Sequence, residues 1–138
     1  AYTTPEQSEE MHQLLIRKAC RLVEGLGLHY RLSKLAAGDC SASMATTWDI
    51  ELWIPSMNEY KECSSVSNAM DYQARRGNMR FRRNGEKKLE FMHTLNGSGL
   101  ATSRLIPAIV EQHQRADGSV AVPEVLRPFL GGLSEIRV

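Results

Sequence analysis

The stretch from Thr47 to Ile54 constrains this chain most. Trp48, Ile50, Leu52 and Ile54 fall on one side of an extended backbone, and Asp49, Glu51 and Trp53 fall on the other. A period of two is the pattern of a strand, and this is the clearest one in the chain. Pro55 ends the run, Ser56 to Glu59 reads as a turn, and Tyr60 to Ser65 reads as a second strand. The pair forms an antiparallel hairpin.

Helices and shorter strands surround it. Thr4 is placed to cap a first helix, with Pro5 at its first position and Gln7 closing a weak capping box. Met11, Leu14, Leu15, Leu22, Val23 and Leu26 recur at helical spacing and build one apolar stripe, which Gly27 stops. His29 to Leu35 alternates like a strand, and Ala36 to Thr46 reads as a loop. Asp71 to Gly77 is a short helix or link, and Met79 to Arg83 and Leu89 to Leu95 flank the turn signal Asn84-Gly85. Beyond Gly97 and Gly99 a helix runs over about Leu100 to Gln114. Leu105, Ile109 and Val110 point inward there, and Pro107 either kinks it or marks a late start. Asp117-Gly118 is a turn, followed by a short tail segment from Val122 to Leu130. A helix, several antiparallel strands, then a strand entering a helix through a glycine turn is an α+β order. The 138 residues suit one core.

Charge and cysteines exclude several classes. Seventeen Lys and Arg against sixteen Asp and Glu leave +1, so global charge offers no argument for nucleic acid. No apolar run approaches the roughly 20 residues of a membrane helix. Cys20, Cys40 and Cys63 are odd in number and far apart, which makes a reducing compartment the default. The glycines at 97 and 99 do not complete a dinucleotide fingerprint, because Thr102 stands where its third small residue belongs. No Walker lysine follows them, and Asn96 replaces the first glycine of a nucleophile elbow. His12, His29, His93 and His113 lack metal-ligand spacing.

Chemistry concentrates in two polar segments. Glu62-Cys63-Ser64-Ser65, at the end of the second strand, offers a carboxylate and hydroxyls that suit a hard cation carrying a nucleotide phosphate; a solvated strand end is the alternative. His93 to Gly99 leads to Arg104 in the first turns of the following helix. There the glycines permit close backbone approach, Ser98 lies near a helix N-terminus, and the arginine fork suits phosphate. A glycine bend with a surface arginine is the alternative. Arg75, Arg76, Arg80, Arg82 and Arg83 interleave with Tyr72 and Phe81, either facing a nucleic-acid backbone or lying on a solvated edge hairpin.

At these residues the chain resembles seryl-tRNA synthetases of the bacterial and organellar type. The resemblance is carried by six ordered blocks: Thr4 to Glu10, Asp49 to Pro55, Glu62 to Asn68, Asp71 to Arg76, His93 to Ala101, and Val122 to Pro128. It implies a class II synthetase fold, an antiparallel sheet flanked by helices. It also implies ATP-dependent attachment of L-serine to tRNA(Ser) through a seryl-adenylate. The family's ATP contacts fall on Glu62, Cys63, Ser64, Ser65 and Arg104, and its magnesium (Mg2+) ligands on Glu62 and Ser65. Arg104 and Glu62 carry the catalytic charge, Ser98 contacts serine, and Asn96 lies beside it. Cys63 stands where the family has an aliphatic residue, leaving a backbone role intact.

The family's coiled coil, its motif 1 dimer interface and its motif 2 lie upstream of the segment resembled. Residues 1–138 therefore correspond to the C-terminal portion of the catalytic domain, expected to be inactive alone. The opening at Ala1, without Met, reads as excision from a longer chain. A homodimer, no membrane partner and a cytoplasmic location are expected, with the mitochondrial matrix as the other option. The alternative function is a non-catalytic synthetase-like subunit of a larger assembly.

Overall fold

The computed structural model describes residues 1–137. In chain order it holds β1 (Tyr2–Thr3), a 3-10 turn (Pro5–Gln7), α1 (Ser8–Gly25), β2 (Tyr30–Lys34), β3 (Thr46–Ile54), a second 3-10 turn (Pro55–Met57) and β4 (Glu59–Asn68). Then come α2 (Tyr72–Gly77), β5 (Arg80–Arg82), β6 (Leu89–Phe91), β7 (His93–Gly97), α3 (Thr102–His113), β8 (Val120–Ala121), a 3-10 segment (Glu124–Leu130) and β9 (Glu135–Ile136). Five strands form one sheet in the order β1-β7-β4-β3-β2, and β5-β6 and β8-β9 form two small ribbons. The α+β reading holds. The chain divides into two compact units.

The first unit comprises residues 1–17, 33–49 and 65–98. Its β7 pairs antiparallel with β1, Tyr2 opposite Thr94, and with β4, Val66 opposite Gly97 and Ser67 opposite Asn96. A Cβ on Gly97 would meet both methyls of Val66 at 3.3 Å, so only glycine fits this register without displacing the valine. His12 on α1 is fully buried and donates from Nε2 to the Val66 carbonyl at 2.9 Å. It is a satisfied core histidine.

The second unit comprises residues 18–32, 50–64 and 99–137 of the described chain. Val23, Ile50, Leu52 and Ala108 are fully buried there. Gln112 of α3 donates to the Trp53 carbonyl at 2.8 Å and accepts from the His29 amide at 2.7 Å. Glu111 accepts the Ser56 amide and hydroxyl at 2.8 and 2.9 Å. These bonds fasten the C-terminal end of α3 to the β3–β4 hairpin. On the edge strand, Arg31 pairs with Glu51 and lies 4.3 Å from the Tyr60 ring.

Several expectations need correction. A 3-10 turn precedes α1, and the Thr4 hydroxyl bonds the Gln7 side chain instead of capping a backbone amide. The buried face of α1 is His12, Ile16, Ala19, Cys20 and Val23, while Leu22 is exposed; the face is rotated from the expected stripe because a histidine and a cysteine count as core. The expected strand from Leu89 to Leu95 breaks at Met92 into β6, which pairs with β5, and β7, which joins the main sheet. On α3, Val110 is exposed and Ala108 is the buried position. Pro107 lies inside α3, at the sixth residue, so it does not mark the start of the helix, which is at Thr102.

Candidate active site

β4 does not end at Ser65. It continues to Asn68 through its pairing with β7, so Glu62 to Ser65 lie in the interior of a strand. In the second unit, Cys63 is buried and its carbonyl accepts the Ala101 amide at 2.8 Å. That single bond ties the residue before α3 to β4. The Ala101 carbonyl then receives the amides of Arg104 and Leu105 at 3.0 and 2.9 Å, starting the helix. The result places Arg104 Nη1 3.9 Å from Glu62 Oε1, although the two residues are far apart in sequence.

Both side chains of this pair remain about half exposed, at 51% and 45%. A half-solvated pair at this distance contributes little to stability. Its chemistry is that of an open cation and an open carboxylate side by side, able to receive a polyanion and its counter-ion. Burial pushes the Cys63 thiol up, with Glu62 adding to the effect and Ala101 and Arg104 opposing it. A buried thiol held protonated is a packing residue with a weak bond to the Ala101 carbonyl, Sγ to O 3.9 Å. Ser64 is buried beside it.

Among the described residues, no three His, Cys, Asp or Glu side chains gather to hold a metal ion by themselves. Magnesium needs no such cage. It keeps several waters and takes one or two carboxylates plus substrate phosphates, so the accessible Glu62 carboxylate fits it.

In the first unit, Ser65 is half-buried, and Asn96 and Ser98 are exposed. Ser98 stands four residues before α3, too early to cap it, and Ala101 occupies the cap position. Asn96 reaches the Met44 sulfur with Nδ2 at 3.9 Å. Opposite Asn96, Ser67 shares a hydrogen bond of 2.8 Å with Thr47, both buried. Ser67 and Asn68 directly follow the polar segment Glu62 to Ser65, whereas Thr47 and the buried Asp49 carry no site signal in the sequence pattern. Asp49 stands on the polar side of the alternating strand, which reads as solvated in the absence of tertiary contacts.

The basic segment is engaged locally. Arg83 bonds Glu90 and Glu6, Arg75 pairs with Asp71, Arg76 lies 3.4 Å over the Tyr72 ring, and Arg80 lies 4.6 Å over Phe91.

Residues 1–113 match the model of the tRNA synthetase class II core domain (G, H, P, S and T). The chain belongs to this family. Among relatives of this class II core, serine–tRNA ligase 2 of Clostridium acetobutylicum is 69% identical over 130 residues, covering 94% of this chain and 31% of the relative. The serine–tRNA ligase of Syntrophobacter fumaroxidans is 54% identical over 132 residues, covering 96% and 31%. The crystal structure of seryl-tRNA synthetase from Pyrococcus horikoshii complexed with ATP superposes with a TM-score of 0.92 at 44% identity, over 98% of this chain and 30% of that one. The class II core chain thus spans about a third of the length of the curated relatives it matches. The resemblance and the fold class read from the sequence blocks both hold.

Proposed function

We propose that this class II core segment serves in attaching L-serine to tRNA(Ser), with a seryl-adenylate as intermediate. The observation that carries the reading is the meeting of Glu62 and Arg104 across the Cys63–Ala101 backbone bond. The names of the relatives, serine–tRNA ligases throughout, and the ATP in the Pyrococcus structure support it.

Chemically, a serine carboxylate oxygen attacks the α-phosphorus of ATP. The bond from that phosphorus to the bridging oxygen breaks, and pyrophosphate leaves with its electron pair. A terminal ribose hydroxyl of the tRNA then attacks the activated carbonyl carbon, the hydroxyl proton is lost, and AMP departs. Phosphoryl transfer of this kind asks for positioning and charge neutralisation more than covalent help. Arg104, fixed at the first turn of α3, supplies a guanidinium to the phosphates. Glu62, with Ser65 further along the same strand, would hold magnesium, which when bound neutralises phosphate charge. Asn96 and Ser98 contact serine. Hydrogen bonds to the serine hydroxyl reject alanine, whose binding leaves polar groups unpaired.

The full protein is a homodimer on this reading, and its location is cytoplasmic. The test is serine-dependent exchange of pyrophosphate into ATP, followed by serylation of tRNA, with the full-length protein. A folded protein without exchange overturns the reading. No observation favours a non-catalytic subunit.

A further inference from the structure

Asp49 is the least explained polar residue of the first unit. It is 7% exposed, and its Oδ1 is buried with no hydrogen-bond partner among the described residues. Leaving one oxygen of a buried carboxylate unpaired is costly, and such groups persist where something outside the folded chain pairs with them.

The sheet shows on which face the residue lies. Thr47 and Asp49 are two residues apart on β3 and share a face. Thr47 Oγ1 bonds Ser67 Oγ at 2.8 Å, so Ser67 lies on that face too. Ser67 is directly opposite Asn96 on β7, and cross-strand partners project to the same side. Ser65 follows from Ser67 by the same alternation. Asp49 therefore belongs to the polar face that carries Asn96, the residue placed beside serine above. Glu51, the next residue on that side of β3, is paired with Arg31, so Asp49 is the acidic group there with an oxygen left unpaired among the described residues.

We propose that Asp49 binds the amino-acid substrate, its Oδ1 accepting a hydrogen bond from the α-ammonium group; the inference rests on the function proposed above. An ionised carboxylate only accepts, and an ammonium only donates, so the two are complementary. A charge-assisted bond of this kind in a buried place is among the stronger ones. Magnesium is disfavoured here, since it keeps several waters and this carboxylate is nine-tenths buried.

The test is pyrophosphate exchange by the full-length protein with Asp49→Asn, and with Asp49→Ala where the amide variant does not fold. The expected result is a rise of about tenfold or more in the KM for serine, the loss of one charge-assisted hydrogen bond, with the KM for ATP within about twofold. A second readout is competition by 3-hydroxypropanoate, which lacks the amino group. Wild type prefers serine over it strongly, and the variants lose most of that preference. An unchanged serine KM, or an unchanged preference, overturns the inference while leaving the function standing. So does a large loss of thermal stability in both substrate-free variants, which would mean that a donor of the protein itself holds Asp49. Wild-type protein without any exchange overturns the functional reading and this inference with it.

Discussion

At the scale of single residues, Arg104 and Glu62 carry the most weight. Neither earns its place by packing, since both are half exposed and separated by 3.9 Å. If the arginine faces the triphosphate, Arg104→Ala lowers kcat for pyrophosphate exchange by about a hundredfold or more, the usual cost of removing one preorganised charge stabiliser. Arg104→Lys restores little, because a lysine offers a point charge where the site wants a planar fork. The melting temperature of both variants stays close to wild type, because the pair is solvated. Loss of stability alongside activity would indicate a structural arginine instead. None of this pairing was legible from local pattern. Composition identified two polar segments, each with a bland alternative, and it was the likeness to a known family that joined them. The Cys63–Ala101 bond that brings them together is a tertiary contact that no spacing rule reports.

At the scale of elements, the sequence revealed strands where polarity alternated and failed where polar groups are buried and satisfied. β3 was plain because its apolar residues recur every second position. The continuation of β4 through Ser67 and Asn68 was not, because these residues look solvent-facing. In fact Ser67 is paired by Thr47, and Asn68 Oδ1 receives the Met70 amide at 2.9 Å. The buried face of α1 departs from the apolar stripe for the same reason. His12 belongs to the core because its Nε2 meets the Val66 carbonyl. His12→Ala leaves that carbonyl unpaired beside a cavity and costs about 2–4 kcal/mol in denaturant unfolding. Leu22→Ala, on the exposed side, costs less than about 0.5 kcal/mol. Equal losses would return α1 to the stripe first expected.

The N-terminal turn gives an element-scale prediction in pH. The Glu6 carboxyl is lowered from its usual 4.5 to about 2, first by its own backbone amide, then by the Thr4 hydroxyl and the Arg83 guanidinium. A folded-state value below the unfolded one means that the contribution is complete above about pH 4.5 and disappears as the pH falls through about 2. Melting temperatures of wild type and Glu6→Gln should therefore differ at neutral pH and converge on acidification. The carboxylate is solvent-exposed, so the difference is small and shrinks in high salt. Parallel pH profiles would show that Glu6 is not coupled to folding.

At the scale of the whole molecule, the class II core is present and the charge is nearly balanced, at +1. Four arginines of the basic segment, Arg75, Arg76, Arg80 and Arg83, are engaged by Asp71, Glu6, Glu90 and nearby rings, while Arg82 is exposed. Within this segment there is no general positive field, so a ligand test here has to read built contacts. This argues for a ligand test on the full-length protein that reads binding without turnover. A non-hydrolysable seryl-adenylate analogue that binds only the folded state stabilises it by about 2.7 kcal/mol at a hundred times its dissociation constant. That is several degrees in melting temperature. On the proposed function, the shift should fall sharply in Arg104→Ala, proposed as the phosphate partner, and in Asn96→Ala, proposed as a serine contact. It should persist in Arg76→Ala, whose guanidinium rests on Tyr72. A shift of the same size in all three variants would mean that the analogue binds elsewhere, and the roles given to Arg104 and Asn96 would fall together.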